Sequence, residues 1–323
     1  MNQTISLVAD IGGTNIRLAL TNTENNITNI ETYQCIKFKS LYEVINLYLT
    51  ERNIHERSIN ACLAIAGPVD NDLITMTNLP WKISQKGLKQ QLNLKNLYFL
   101  NDFSAIAMSI PFLNNEQKMQ IGNVESTAGK AISVCGPGTG LGVATIISAD
   151  KKWHCLSGEG GHVDFSPVDE VEMKILHYLR AIKKRVSYEQ LLSGYGLEQI
   201  YQALVSITNC KTEFVLDEHL SAEDISSRAV VDSCATCHQA LSIFCRVLGS
   251  FAGNLALTMN SLGGVYIAGG IVPKFIEFIQ QSDFRARFEA KGRLSTLTRQ
   301  APTYIITEKQ PGLLGASAYL NQR

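Results

Sequence analysis

Two glycine-rich turns hold the residues best suited to chemistry: Asp10-Ile11-Gly12-Gly13-Thr14-Asn15 and Gly136-Pro137-Gly138-Thr139-Gly140-Leu141-Gly142. Glycine lets backbone N–H groups close on an anion and form a concave nest. Two such turns facing each other could grip a polyphosphate from both sides, with Thr14 and Thr139 supplying hydroxyls. Asp10 beside the first turn would repel phosphate unless Mg2+ intervened, so its chemical reading is metal-linked. Its spacing equally suits a hairpin-capping Asp. Other glycine-rich devices do not fit. A dinucleotide fingerprint needs a third glycine opening a helix, but Leu141 stands there and the β-branched run Val143 to Ile147 follows. A Walker loop needs Gly-Lys and then a hydroxyl, and Ala131 follows Gly129-Lys130. The chemistry implied is phosphoryl transfer from a nucleotide.

That reaction also needs a base near the acceptor. Asn101-Asp102 ends the apolar run Leu97 to Leu100, a predicted strand. Ligands of open α/β sheets collect at the carboxyl ends of strands. Asp102 is placed to take a proton from a hydroxyl, and Asn101 to bind a neighbouring one. The pair equally suits a helix N-cap ahead of Phe103, Ile106 and Ala107, and both roles can coexist. In the loop Gly158-Glu159-Gly160-Gly161-His162-Val163-Asp164, Glu159 and His162 could grip vicinal hydroxyls. With one histidine and no H-E-x-x-H pattern, this loop is not a zinc site. Ser187-Tyr188-Glu189-Gln190 opens a helical run, where Glu189 reads as a first-turn carboxylate.

The elements that must position these residues alternate. Ile5 to Leu20 reads as a hairpin around the first turn. A helix starts at Ser40 with apolar residues at Leu41, Val44, Ile45, Tyr48 and Leu49. Ala61 to Ala66 is a buried strand stopped by Gly67-Pro68. The second hairpin spans Ala131 to Ile147. Ser206 to His219 is polar and reads as a surface excursion. Ser221 and Asp224 have the spacing of a capping box. A long core helix carries Leu241, Phe244, Cys245, Leu248, Phe251, Ala252 and Leu255 on one face. Gly263 to Gly270 is a buried strand bracketed by glycine pairs, and a last helix covers Leu313 to Leu320. Strands alternating with helices imply an α/β fold with a partly parallel sheet. The repeated strand-glycine-strand unit implies two related α/β domains with a cleft between them.

Composition narrows the function classes. The chain has 323 residues, with 29 Lys plus Arg and 29 Asp plus Glu. Balanced charge gives no footprint for nucleic acid or an anionic membrane. Met1 to Thr4 runs into a strand with no charged n-region and apolar h-region, so a signal peptide is not expected. Eight cysteines then suggest reduced thiols and a cytoplasmic protein. Cys234-Ala235-Thr236-Cys237-His238 has the spacing of a c-type haem attachment, but that chemistry needs export, and the segment opens a helical pattern.

Taken in order, the motifs resemble those of the bacterial glucokinase family over nearly the whole chain. They include Asp10 to Arg17, Ala66-Gly67-Pro68-Val69, Met76-Thr77-Asn78, Leu100-Asn101-Asp102-Phe103 and the second glycine hairpin. Gly158 to Phe165, Leu192-Ser193-Gly194, Gly264 to Val272 and Pro311 to Gly315 follow. The resemblance implies an actin-like, ribonuclease-H-like ATPase fold of two α/β domains around a cleft that holds nucleotide and sugar, with the C-terminal helix returning to the smaller domain, so the expected extents are 1–110 plus 302–323 for the smaller and 111–301 for the larger. It implies phosphorylation of D-glucose to glucose 6-phosphate by ATP with Mg2+, in a cytoplasmic homodimer without nucleic-acid or membrane partner. By position, Asp102 matches the base for the sugar 6-hydroxyl. Asn101, Glu159, His162 and Glu189 match the residues holding the other hydroxyls. Asp10, Gly12, Gly13, Thr14 and Asn15, with Gly138, Thr139 and Gly140, match the phosphate loops, and Gly269 and Gly270 a nucleotide-side wall. A zinc-binding C-x-C-G-x-x-G-C segment of related sugar kinases and repressors is absent, so no protein-held metal is expected. Two other readings stand beside this one: a kinase for another hexose, and a sugar-binding regulator on the same fold.

Overall fold

The computed structural model describes residues 5–54, 58–76, 79–208 and 220–323. By Cα proximity the chain divides into two compact units. One comprises 1–114, 148–157 and 308–323, the other 115–147 and 158–307.

The first unit is built on a five-stranded sheet. Its hairpin joins β1 (Ser6–Ile11) to β2 (Asn15–Thr21), and β3 (Ile27–Gln34) extends it. After α1 (Leu41–Glu51) comes β4 (Asn60–Ile65). The short pair β5 (Leu73–Thr75) and β6 (Lys82–Ser84) precedes α2 (Gln85–Gln91). β7 (Asn96–Asn101) then runs directly into α3 (Asp102–Ser109). The sheet order is β3-β2-β1-β4-β7. β1 pairs antiparallel with β2 and parallel with β4, and β4 pairs parallel with β7.

Side-chain alternation explains how both sheet faces are buried. Leu7, Ala9 and Ile11 point into a core with Leu41, Val44, Ile45, Tyr48 and Leu49 of α1. These are the five residues whose period predicts the helix, and Ser40 caps it by accepting from Glu43 N–H. Val8 points the other way, with Cys62, Ala64, Leu100 and Ala105. Asp10, two residues after Val8, therefore belongs to that second face.

The second unit repeats the plan. β8 (Lys118–Ile121) is followed by β9 (Ile132–Pro137), β10 (Leu141–Ala149) and β11 (Lys152–Gly158). The helices α4 (Glu170–Ile182), α5 (Gly194–Thr208), α6 (Ala222–Val230) and α7 (Ala235–Met259) come next. β12 (Gly264–Ile267), α8 (Ile276–Gln281), α9 (Phe284–Glu289), α10 (Ser295–Arg299) and β13 (Thr303–Ile306) complete it. The sheet order is β11-β10-β9-β12-β13-β8. Its first five positions echo β3-β2-β1-β4-β7, with an antiparallel hairpin leading into parallel strands. The duplicated glycine unit in the sequence is thus the start of a duplicated sheet.

α7 fills the core of this unit, with Leu241, Phe244, Cys245, Leu248, Phe251 and Ala252 buried. It is long and apolar enough to cross a membrane, yet most of it is buried inside the protein, as a core helix is. Cys234 caps it: its Sγ accepts from Cys237 N–H. The Cys-x-x-Cys-His segment is therefore a helix start. The expected capping box at Ser221 and Asp224 is present at α6. Of the polar stretch 206–219, residues 206–208 end α5 and the rest lies outside the described residues.

The chain returns to the first unit in α11 (Pro311–Leu320). Leu313 and Ala316 join the core on the Val8 face. A Cβ on Gly315 would collide with the Ala105 carbonyl of α3, so this glycine lets the two helices touch backbone to backbone. The unit boundaries at 114/115 and 307/308 lie beyond the expected 110/111 and 301/302. β13 hydrogen-bonds within the second sheet, which keeps residues 303–306 in the second unit. Residues 148–157, the tip of the β10–β11 hairpin, group with the first unit, and nothing in the strand pattern signals this.

Candidate active site

Both glycine turns are tighter than their motifs imply. The first closes through Gly12 N–H to Asn15 C=O at 3.0 Å, leaving Gly12, Gly13, Thr14 and Asn15 between the paired Ile11 and Ile16. In the second, Pro137 pairs with Leu141 and Gly136 with Gly142, so only Gly138, Thr139 and Gly140 turn. Gly138 N–H donates to Gly140 C=O at 2.8 Å. Thr14 and Thr139 are exposed at the two tips.

Asp10 stands opposite Arg17 in the β1–β2 register. Its Oδ2 lies 3.2 Å from Arg17 Nη1. Burial pushes its carboxyl above the usual 3.8, and the Arg17 guanidinium draws it part of the way back. Behind it lies Gly312, where a Cβ would come within 3.2 Å of the Asp10 Cγ. A backbone bond, not the Asp10 carboxylate, closes the turn, so the hairpin-capping reading of this residue gives way to an ion pair. Among the described residues no three His, Cys, Asp or Glu side chains cluster to hold a metal. A lone carboxylate at a phosphate-type turn suits Mg2+ carried in on a nucleotide, since that ion keeps most of its shell as water and phosphate oxygen.

At the end of β7 the expected helix cap is present. Asn101 is the N-cap of α3: its Oδ1 accepts from Phe103 N–H at 3.0 Å and Ser104 N–H at 3.3 Å. Its Nδ2 is directed to the Gly67 carbonyl at 3.5 Å. Asn101 thus offers a ligand its amide N–H rather than its oxygen. Asp102 is the first residue of the helix, half-buried, with Oδ1 2.9 Å from Phe103 N. Phe103 N–H is thus shared between the Asn101 and Asp102 side chains. Asn101 and Ser104 also line a cavity of about 250 Å³ with Val69, Trp153, Cys155 and Arg323, all in the first unit.

In the second unit, Glu159, His162 and Glu189 are drawn around the second glycine turn. Glu159 and His162 are exposed in one tight turn, where His162 N–H donates to the Glu159 carbonyl at 3.0 Å. Glu189 lies in a 3-10 turn, Tyr188–Gln190. The expected first turn of an α-helix is absent there; α5 begins at Gly194, after Ser193. Ser193 Oγ takes the Gly196 N–H. The Glu189 carboxylate instead reaches the glycine hairpin: its Oε2 accepts from Leu141 N–H at 2.9 Å. Its Oε1 lies 3.8 Å from His162 Nδ1.

Two more features converge on the second hairpin. Gly194 N–H, at the start of α5, donates to the Gly138 carbonyl at 3.0 Å. This brings a helix N-terminus, favourable for anions, to the turn. Gly269 has φ +89, and a Cβ there would collide with the Pro137 carbonyl, so both backbone and space require glycine. Gly270 is exposed, with nothing near its Cβ position. The motif Leu192-Ser193-Gly194 was the available signal for the α5 start, although it gave no role. Arg17 and Leu141 carried no signal, because their importance lies in register and in a backbone N–H.

The strand orders and repeated hairpins define an actin-like ATPase fold, that of sugar kinases. A sequence model described as Glucokinase matches residues 7–323. A glucokinase from Colwellia psychrerythraea (strain 34H) is 61% identical over 320 residues, covering 99% of this chain and 97% of that protein. One from Escherichia fergusonii is 47% identical over 318 residues, covering 98% and 97%. Among solved structures, a glucokinase from an Antarctic psychrotroph superposes with a TM-score of 0.89 at 35% identity, covering 99% of each chain. A ROK family glucokinase from Streptomyces griseus, solved with glucose and AMPPNP, shares the fold at a TM-score of 0.65 and 17% identity, covering 99% of this chain and 100% of that one. The chain belongs to the glucokinase family. It is an ATP-dependent glucose kinase.

Proposed function

We propose that D-glucose is phosphorylated here with Asp102 as the general base. Asp102 takes the proton of the 6-hydroxyl as that oxygen attacks the γ-phosphorus of ATP, and the bond from that phosphorus to the β–γ bridging oxygen breaks to release ADP. The observation that carries this is the place of Asp102 at the carboxyl end of β7, half-buried as the first residue of α3 and next to the N-cap Asn101. Phe103 N–H donates to Oδ1 of both side chains, and Asn101 Oδ1 also takes the Ser104 N–H. The Asn101 amide N–H is offered to a neighbouring sugar hydroxyl. Glu159, His162 and Glu189 hold the remaining hydroxyls, with carboxylates accepting and the imidazole donating or accepting.

The two glycine turns contact the nucleotide phosphates through Gly12, Gly13, Thr14 and Asn15 and through Gly138, Thr139 and Gly140. Gly269 and Gly270 flank the nucleotide. Asp10 would hold Mg2+, which neutralises phosphate charge when bound. Support for this comes from the carboxylate's place beside the first turn and the space that Gly312 leaves it. We further infer a cytoplasmic homodimer with no nucleic-acid or membrane partner. The balance of 29 cationic against 29 anionic residues is in keeping with that. Coupled ADP formation over a panel of hexoses tests the substrate. Glucose should give the highest kcat/KM, and a clear preference for mannose, fructose or N-acetylmannosamine would reject glucose as the substrate.

A further inference from the structure

The second glycine hairpin does more than face a nucleotide, because its Leu141 peptide is held on both sides by the sugar residues. The Leu141 N–H donates to Glu189 Oε2 at 2.9 Å. Its carbonyl packs against Gly161, in the loop of Glu159 and His162, so closely that a Cβ on Gly161 would collide with it. The neighbouring Gly140 is the residue that gives Glu189 access. A Cβ at Gly140 would lie 2.6 Å from Glu189 Oε2 and 3.3 Å from its Cδ. Gly140 is not among the residues with positive φ, so its backbone does not require glycine. The carboxylate beside it does.

We propose that Gly140 is a positioning residue for sugar recognition. Its missing side chain lets the Glu189 carboxylate rest on the Leu141 amide with Oε1 turned toward His162. The inference rests on Glu189 binding a sugar hydroxyl, as proposed above. It gives one hairpin two tasks, contact with the nucleotide and alignment of the sugar-reading carboxylate. The atom that a methyl group would displace is the end of a flexible side chain. A methyl at position 140 therefore moves Glu189 and spares the fold.

The test is steady-state kinetics on wild type, Gly140→Ala, Glu189→Gln and the double variant, varying glucose at saturating ATP and the reverse. Gly140→Ala should raise the KM for glucose by about tenfold, since misplacing a binding group by about 1 Å is costly. Its Tm should stay within a few degrees of wild type, and any rise in its KM for ATP should be smaller than the rise in its KM for glucose. The double variant should be no worse than the weaker single variant, because both changes act through one carboxylate. A rise in the KM for ATP with an unchanged KM for glucose would overturn the proposal, as would additive effects in the double variant. If Glu189→Gln raises the KM for glucose and Gly140→Ala does not, the positioning role alone falls. If Glu189→Gln leaves that KM unchanged, the sugar role of Glu189 falls with it.

Discussion

Arg17 lies directly across from Asp10 in the first hairpin, with Nη1 3.2 Å from Oδ2. The pairing follows from the four-residue turn Gly12 to Asn15, since one more residue would send Arg17 to the opposite sheet face. It gives a half-buried carboxylate one cation, which only partly offsets the loss of solvation.

Stability should therefore depend on the protonation of Asp10 in a defined direction. Its pKa is raised above 3.8 in the folded state, so the native protein holds this proton more tightly than the unfolded chain. The contribution is fully present below pH 3.8 and is lost as pH rises through the folded value. Thermal melts of wild type and Asp10→Asn across the acid range, without nucleotide, should show it. The wild type should lose ground to the variant as pH rises from 3.8. A constant Tm difference would contradict this.

Lys291 makes the opposite case in the second unit. Its Nζ donates to the Ser250 carbonyl at 2.8 Å and Asn254 Oδ1 at 2.7 Å, while burial, helped by Arg287, lowers its pKa to about 8. The unfolded chain holds this proton up to about 10.5. The contribution is present above that value and is lost as pH falls through about 8. Urea melts between pH 7 and 10 should show wild type gaining on Lys291→Met as pH rises. A gain for the variant would contradict the assignment.

Gly269 and Gly270 should differ sharply although adjacent. Alanine at 269 meets a left-handed backbone and the Pro137 carbonyl, together costing about 2–4 kcal/mol. Alanine at 270 meets open space and should cost under about 1 kcal/mol. Equal losses in denaturant titrations would mean that the close approach to Pro137 is not what fixes this glycine.

Much of this was legible before the structure, wherever the signal was local. The α1 stripe, the Ser221 capping box and both hairpins depend on residues within a few positions of each other. Glu189 was not legible in the same way. Its sequence neighbours suggest a helix start, but its carboxylate is held by a backbone N–H 48 residues away. No side-chain pattern records which amide a fold will bring to a carboxylate. The same limit hid residues 148–157, whose grouping with the first unit depends on tertiary contacts alone.

If Asp102 is the base, Asp102→Asn should separate turnover from sugar binding. Turnover at saturating glucose and ATP should fall by roughly 10²–10⁴-fold, the scale for loss of a general base. Calorimetric glucose affinity should change by less than about fivefold, since the sugar contacts proposed for Asn101, Glu159, His162 and Glu189 remain. Near-normal turnover in a variant that binds glucose normally would contradict the account.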